Sequence, residues 1–185
     1  MQDTQRVRVW WLTLGTTLLL LFQGQQLAHA QAVSEYQVKA AYLYNFAKFV
    51  EWPAGDFATP DAPIRLCVLD DPSVESELNQ IAKGKTIGGH PVNVVPVQNG
   101  EQSRSCQILF INASHNQQAR QIIELLRETS VLTVGETKVF VAEGGIISLV
   151  LQDDRMRFQV NHKAAKQAGL HISSRLLSVA TLVLE

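Results

Sequence analysis

The chain has 185 residues, with 16 lysines and arginines against 17 aspartates and glutamates, and a formal net charge of −1 at pH 7. This length suits one domain, and such a domain buries roughly two thirds of its unfolded surface, enough for a core of its own. The balanced charge argues against nucleic acid as a main partner, since phosphate binding needs a basic excess.

The first thirty residues have the three-part layout of a secretory signal peptide. Two arginines are followed by a largely apolar stretch over 9–22 and a small-x-small end at 28–30. We therefore expect a cleaved signal peptide over 1–30 and a mature periplasmic domain over 31–185. A membrane anchor is the alternative, but the apolar stretch is shorter than the roughly 18 residues that span a bilayer.

The chain has two cysteines, Cys67 and Cys106, and both lie beyond the predicted leader. Export places them in an oxidising compartment, where an even number of cysteines normally pairs. The sequence therefore favours a disulfide over two free thiols. A redox-sensing role stays open, since it requires a strained or exposed bond that sequence does not reveal.

Residues 35–50 predict an amphipathic helix that ends near Trp52, because the residue before a proline avoids the helical region. The expected apolar face excludes Lys39 and Lys48. The residues on it are Val38, Tyr42, Asn45, Phe46 and Phe49.

Strands and helices then alternate as far as residue 135. Strands are predicted at 64–69, 91–97, 106–111 and 131–134, the second at a sheet edge because it contains two prolines. A helix over 72–83 begins with a proline. Residues 99–105 resemble a loop, and 114–117 have the spacing of a capping box for a helix that buries Ala119, Ile122, Ile123 and Leu126.

The last third predicts a hairpin with strands at 146–151 and 155–160 around Asp153 and Asp154. Asn161 can cap the next helix, and Ser173 or Ser174 can cap a last one that presents Leu176 and Leu177. These patterns indicate a single α/β domain with a mostly parallel sheet, flanking helices and a C-terminal antiparallel hairpin.

No catalytic signature is present in the sequence. The G-x-S-x-G, H-E-x-x-H and C-x-x-C patterns are missing, and four scattered histidines beyond the leader form no metal set. We expect no enzymatic activity, no cofactor and no metal.

Five aromatic residues fall within 11 positions of the first predicted helix and its end. Core packing explains such a cluster, but aromatic anchors also dominate protein interfaces. We therefore mark a candidate partner-binding set in this helix and the last one: Tyr42, Phe46, Phe49, Trp52, Leu176 and Leu177.

Several segments resemble the YfiR family of periplasmic proteins. They are 35–53 (EYQVKAAYLYNFAKFVEWP), 83–92 (KGKTIGGHPV), 144–147 (GGII), 158–161 (FQVN) and 173–177 (SSRLL). The positions of Cys67 and Cys106 also match the family's disulfide pair. Some members have a second disulfide nearer the C-terminus, and this chain has no cysteines there, so a switch based on that bond does not carry over.

The resemblance implies regulation. YfiR-like proteins are dimeric periplasmic repressors of an inner-membrane diguanylate cyclase of the YfiN type, and an outer-membrane lipoprotein of the YfiB type can sequester them. By this resemblance we expect lowered cyclic di-GMP signalling and biofilm regulation. Two other functions stay open: a small-ligand sensor with an apolar pocket near the first helix, and an uncharacterised hydrolase.

Overall fold

An eight-stranded sheet organises residues 33–185, the part of the chain that this computed structural model describes. The predicted signal peptide lies outside the described residues. The helices are α1 (Glu35–Phe46), α2 (Pro72–Ala82), α3 (Gly100–Ser103), α4 (Asn116–Leu126), α5 (His162–Gln167) and α6 (Ser174–Leu177). The strands are β1 (Val50–Glu51), β2 (Ile64–Leu69), β3 (Thr86–Ile87), β4 (His90–Val97), β5 (Ile108–Ile111), β6 (Leu132–Gly135), β7 (Ile147–Gln152), β8 (Arg155–Asn161), β9 (His171–Ile172) and β10 (Leu182–Leu184).

The strand order in the main sheet is β10-β8-β7-β6-β5-β2-β4-β3. β2 pairs in parallel with both β4 and β5, and β6 continues the parallel series to β7. β7 and β8 form the predicted antiparallel hairpin, and β10 lies parallel to β8. These pairings confirm the α/β fold with its mostly parallel sheet and C-terminal hairpin.

Each face of the sheet is covered by different helices. Leu66 and Val68 of β2 belong to the hydrophobic cluster that holds the buried residues of α1 and α2. Cys67 and Leu69 point the other way, into the cluster that holds the buried face of α4. The period-2 alternation of β2 thus separates two layers of core.

Local signals placed several boundaries correctly. Asn161 accepts a hydrogen bond from the Ala164 amide at the start of α5, and Ser173 caps α6 in the same way. The strand predicted at a sheet edge is β4, which contains both prolines. Only the two-residue strand β3 lies between β4 and that edge of the sheet. At the hairpin turn Asp153 and Asp154 have φ of 50° and 56°, the left-handed pair that a type I′ turn requires.

The predicted capping box at 114–117 is wrong. Ser114 lies in a 3-10 turn, and its hydroxyl bonds to the side-chain oxygen of Asn112 at 2.5 Å. That oxygen also accepts the Ser114 amide, so Asn112 organises the turn and α4 begins at Asn116 without a side-chain cap.

The first helix is shorter than predicted, the last one is a single turn, and 99–105 is not a plain loop. α1 ends at Phe46, and the residues beyond it form β1, which pairs antiparallel with β9. Residues 100–103 form the single turn α3. α6 is also a single turn, because the chain after it extends into β10 beside β8. The changes at α1 and α6 reflect pairing between distant segments, whereas α3 is capped locally by the Asn99 side chain.

The predicted apolar face of α1 also needs correction. The side chains that the fold buries are those of Lys39, Ala40, Leu43 and Phe46, with Ala47 just beyond the helix. Asn45 is exposed, whereas Lys39, which we expected to lie off the apolar face, is only 8% exposed.

Candidate functional site

Two of the candidate aromatic residues pack against the hairpin. The ring of Phe46 lies 5.2 Å from that of Phe158 in β8, and the ring of Tyr42 lies 6.0 Å from it, both edge-on. The Tyr42 hydroxyl donates a 2.8 Å hydrogen bond to the Met156 carbonyl. α1 is therefore fixed across β8 by aromatic contacts that sequence spacing did not indicate.

The other two candidate aromatic residues follow α1. Phe49 and Trp52 are half-buried. The Trp52 indole donates a hydrogen bond of 3.2 Å to the carbonyl of Gln107, which follows Cys106 directly. Trp52 therefore connects the end of this segment to the start of β5.

The two leucines of α6 join the same hydrophobic cluster. Leu176 is 5% exposed and Leu177 is half-buried. The Phe49 carbonyl accepts the Ser173 amide at 2.9 Å, and the β1–β9 pairing continues this link. The structure thus brings the two predicted segments together, although they are more than 120 residues apart in the sequence.

The six candidates differ in how much surface they offer. Phe46, at 1% exposure, and Leu176 contribute almost none. The remaining four are partly accessible and pack against one cluster; we call them the α1–α6 surface: Tyr42, Phe49, Trp52 and Leu177. Contact with a partner stays a prediction for all six, and the α1–α6 surface is where it can occur without unfolding the core.

A buried ion pair fixes the start of α1, and sequence analysis missed it. The Lys39 ammonium pairs with Glu136, just beyond β6, and with Glu35 at 2.7 Å. Burial alone would lower the pKa of Lys39, but the hydrogen bonds and charges of the two glutamates outweigh it and raise this pKa above its ordinary value. Glu136 also accepts the Ala113 amide at 3.0 Å, so one carboxylate joins α1 to the ends of β5 and β6.

A polar network lies at the carboxyl ends of β2 and β5, where the strand order reverses. Asp71 caps α2 through the Val74 amide at 3.1 Å and accepts the Asn112 side-chain amide at 2.9 Å. Open α/β sheets bind ligands at such switch points. Here the polar groups bond to one another, which fixes the loops.

The disulfide between Cys67 and Cys106 is present, with Cα atoms 5.9 Å apart. The two residues are 1% and 2% exposed and belong to the cluster beneath α4. The bond therefore ties β2 to the segment leading into β5, and its burial favours a structural role over redox sensing.

One pocket of about 210 Å³ opens between α4, the start of β6 and α5. Its lining mixes apolar side chains, Leu126 and Ile146 among them, with the charged side chains of Arg127, Lys163 and Glu143. It does not involve α1, where we expected an apolar pocket.

Two kinds of feature are missing from residues 33–185. In this range, no helix combines the length and apolar character needed to cross a membrane. Nor does this part of the chain bring together three His, Cys, Asp or Glu side chains in a way that could hold a metal ion.

A family model described as YfiR/HmsC-like matches residues 36–181, which include α1, both cysteines, the hairpin and α6. The chain belongs to the YfiR/HmsC-like family. This family is periplasmic and regulatory rather than catalytic.

Comparison with known proteins supports the fold. No curated protein matches the sequence significantly. A conserved domain protein from Vibrio cholerae O1 biovar eltor is similar in structure, with a TM-score of 0.53 and 12% identity over 81% of this chain and 60% of that one. An ABC domain in complex with L-Trp from Streptococcus pneumoniae is also similar in structure. Its TM-score is 0.50, with 12% identity over 77% of this chain and 59% of that one. The chain thus spans about 60% of the length of these solved chains.

Proposed function

We propose that this YfiR/HmsC-like protein is a periplasmic repressor of an inner-membrane diguanylate cyclase of the YfiN type, and that it lowers cyclic di-GMP signalling. In this proposal the signal peptide over 1–30 is cleaved and the mature protein binds the periplasmic sensor part of the cyclase as a homodimer. A YfiB-type outer-membrane lipoprotein is the proposed antagonist. The family match over 36–181 is the observation that carries the proposal.

The α1–α6 surface is the proposed contact with the cyclase. Its large apolar side chains are partly exposed, and each is fixed by packing or by a hydrogen bond to the sheet. Interfaces gain most from rigid aromatic anchors of this kind, because little side-chain entropy is lost when they bind.

Repression of this kind is a shift of population. The protein must bind the inactive cyclase more tightly than the active one, since equal affinity for both would shift nothing. A tenfold difference in affinity, about 1.4 kcal/mol, changes the ratio of the two states tenfold when binding is saturated.

Deletion of the gene tests the function. We expect cyclic di-GMP to rise in the deletion strain and to return to the original level when the gene is restored. Unchanged cyclic di-GMP in the deletion strain would refute repression.

Variants of the restored gene test the surface. Leu177→Ala and Trp52→Ala should bind the cyclase sensor part less tightly and restore repression poorly. Val139→Ala removes an apolar side chain that is 54% exposed and lies outside the surface, so it should act as the wild type. Circular dichroism of each purified protein checks the fold, and full binding by both surface variants would rule out this contact.

A small-ligand sensor is the second candidate function, and the 210 Å³ pocket favours it. Its lining combines apolar side chains with two basic groups, Arg127 and Lys163, that suit a small anionic molecule, and with one carboxylate, Glu143, that is already paired with Arg120. Native mass spectrometry of protein purified from the periplasm should then show a retained mass that Lys163→Ala releases. A protein that carries no such mass and shows no change in thermal stability with small carboxylates would exclude this function.

A further inference from the structure

The two edges of the main sheet are protected to different degrees. On one side β4 contains Pro91 and Pro96, and β3 covers its beginning. On the other side β10 contains only Leu182, Val183 and Leu184, without a proline or a charge within the strand. Natural sheets block open edges with prolines, charges or short covering strands, and β10 has none of these apart from its short length.

Among residues 33–185, the backbone of β10 pairs with a neighbouring strand on one side alone. The Thr181 amide donates to the Phe158 carbonyl of β8 at 2.9 Å. Because backbone groups alternate along a strand, Val183 also faces β8, while the amides and carbonyls of Leu182 and Leu184 point away from it. Leu182 is 41% exposed, so its side chain remains available to pack against a partner.

We propose that a second copy of this chain docks on the β10 edge, with the two β10 strands antiparallel about a two-fold axis at Val183. This proposal rests on the homodimer proposed above and names its surface. In this register Leu182 of each copy lies opposite Leu184 of the other, and the two pairs exchange four main-chain hydrogen bonds. Val183 faces its own symmetry mate in a pair without hydrogen bonds, and one sheet runs through both copies.

The sequence of β10 favours a second copy because the strand is complementary to itself. All three opposed pairs are apolar, so each contributes to packing across the axis and no like charges meet. Glu185 falls opposite Thr181 of the other copy, and its carboxylate already pairs with His162 at 3.2 Å and Lys166 at 3.5 Å. An isologous contact of this type closes at two copies.

Sedimentation velocity of the mature protein, with one charge placed on either edge, tests the surface. Leu182→Lys adds a blocking charge to β10, and Asn93→Lys makes a matched change at an exposed position of β4. We expect the wild type and Asn93→Lys to sediment as dimers and Leu182→Lys to sediment as a monomer. The circular dichroism spectra of all three proteins should be the same.

Cysteine crosslinking tests the register and does not depend on how the lysine variant folds. The chain's own two cysteines are already joined, so a single new cysteine reports without interference. Across the axis the Cα atoms of Val183 lie about 4.5 Å apart, within disulfide range. The Cα atoms of Leu182 in the two copies are offset by two residues along the strands. They therefore lie about 8 Å apart, too far for a disulfide.

We expect Val183→Cys to form a covalent dimer on a non-reducing gel and Leu182→Cys to remain uncrosslinked. A monomeric wild type would overturn both the homodimer and this edge. If the dimer persists in Leu182→Lys and Val183→Cys forms no crosslink, the β10 edge is ruled out as the interface, while the homodimer itself stands. Equal crosslinking by both cysteine variants would overturn the register.

Discussion

Loss of the Cys67–Cys106 bridge should lower the free energy of unfolding by about 4 kcal/mol. The bond joins residues 39 positions apart, and the chain-entropy estimate for a loop of that size is about 4 kcal/mol at 25 °C. Replacing both cysteines with alanine adds a packing loss, because both side chains are buried. With about 1 kcal/mol for each removed sulfur, the double variant should lose about 6 kcal/mol in total.

Urea unfolding followed by tryptophan fluorescence measures this loss. Trp52 is the only tryptophan beyond the predicted leader, and its indole bonds to the residue after Cys106, so its emission reports on this region. With a slope of about 2 kcal/mol per molar urea, a loss of 4 kcal/mol moves the midpoint down by about 2 M. The samples are the oxidised wild type, the wild type reduced with dithiothreitol, and Cys67→Ala/Cys106→Ala as the control that dithiothreitol cannot affect.

Two results would contradict this reasoning. One is a difference below 1 kcal/mol between oxidised and reduced protein, which would mean that the loop is already constrained in the unfolded chain. The other is reduction of the native protein at a rate that does not increase with urea, because a buried bond should react only when the fold opens.

Two further predictions concern the hairpin and the ion pair. Asp153→Asn/Asp154→Gly should raise the free energy of unfolding by about 1 kcal/mol, because both residues have positive φ and Asn-Gly is the preferred type I′ pair; a lower midpoint in urea would contradict this. Lys39→Met should lower it by about 3 kcal/mol, because a buried carboxylate loses its partner, whereas the exposed control Lys48→Met should change little. Since the pKa of Lys39 is raised in the folded state, its contribution should persist up to pH 10.5 and vanish as the pH rises through the folded pKa. A difference from wild type that already fades between pH 7 and 9 would refute this assignment.

The sequence predicted those elements whose signals are local. Residues 64–69 and the helix that starts at Pro72 match the structure closely, because a β-branched run and a proline at the first helical turn act within a few residues. Asn161 was recognised as a cap, and Ser173 as one of two candidate caps, for the same reason.

The missed elements depend on pairing across the whole chain. β1 and β9 have two residues each, and Val50 pairs with Ile172; neither strand has a pattern of its own to detect. β10 is three residues long and exists because β8 offers an edge.

The candidate site was predicted as a set of residues but not as a surface. The concentration of aromatic residues put Phe46 among the partner contacts, yet Phe158 packs on its ring and the side chain is buried. Helical spacing placed Lys39 off the apolar face, yet its side chain is buried. Its partner Glu136 lies 97 positions away, after a strand whose position in the sheet the sequence does not specify.

The contacts of α1 bear on how the proposed repression would operate. The helix is joined to the rest of the fold at its start by Lys39 and Glu136, in its middle by Tyr42 and Met156, and beyond its end by Phe49 and Ser173. A surface fixed at three points changes little on binding, and a preformed surface loses less entropy in the complex. If repression uses this surface, the conformational difference that selects the inactive state must therefore lie in the cyclase rather than in this protein.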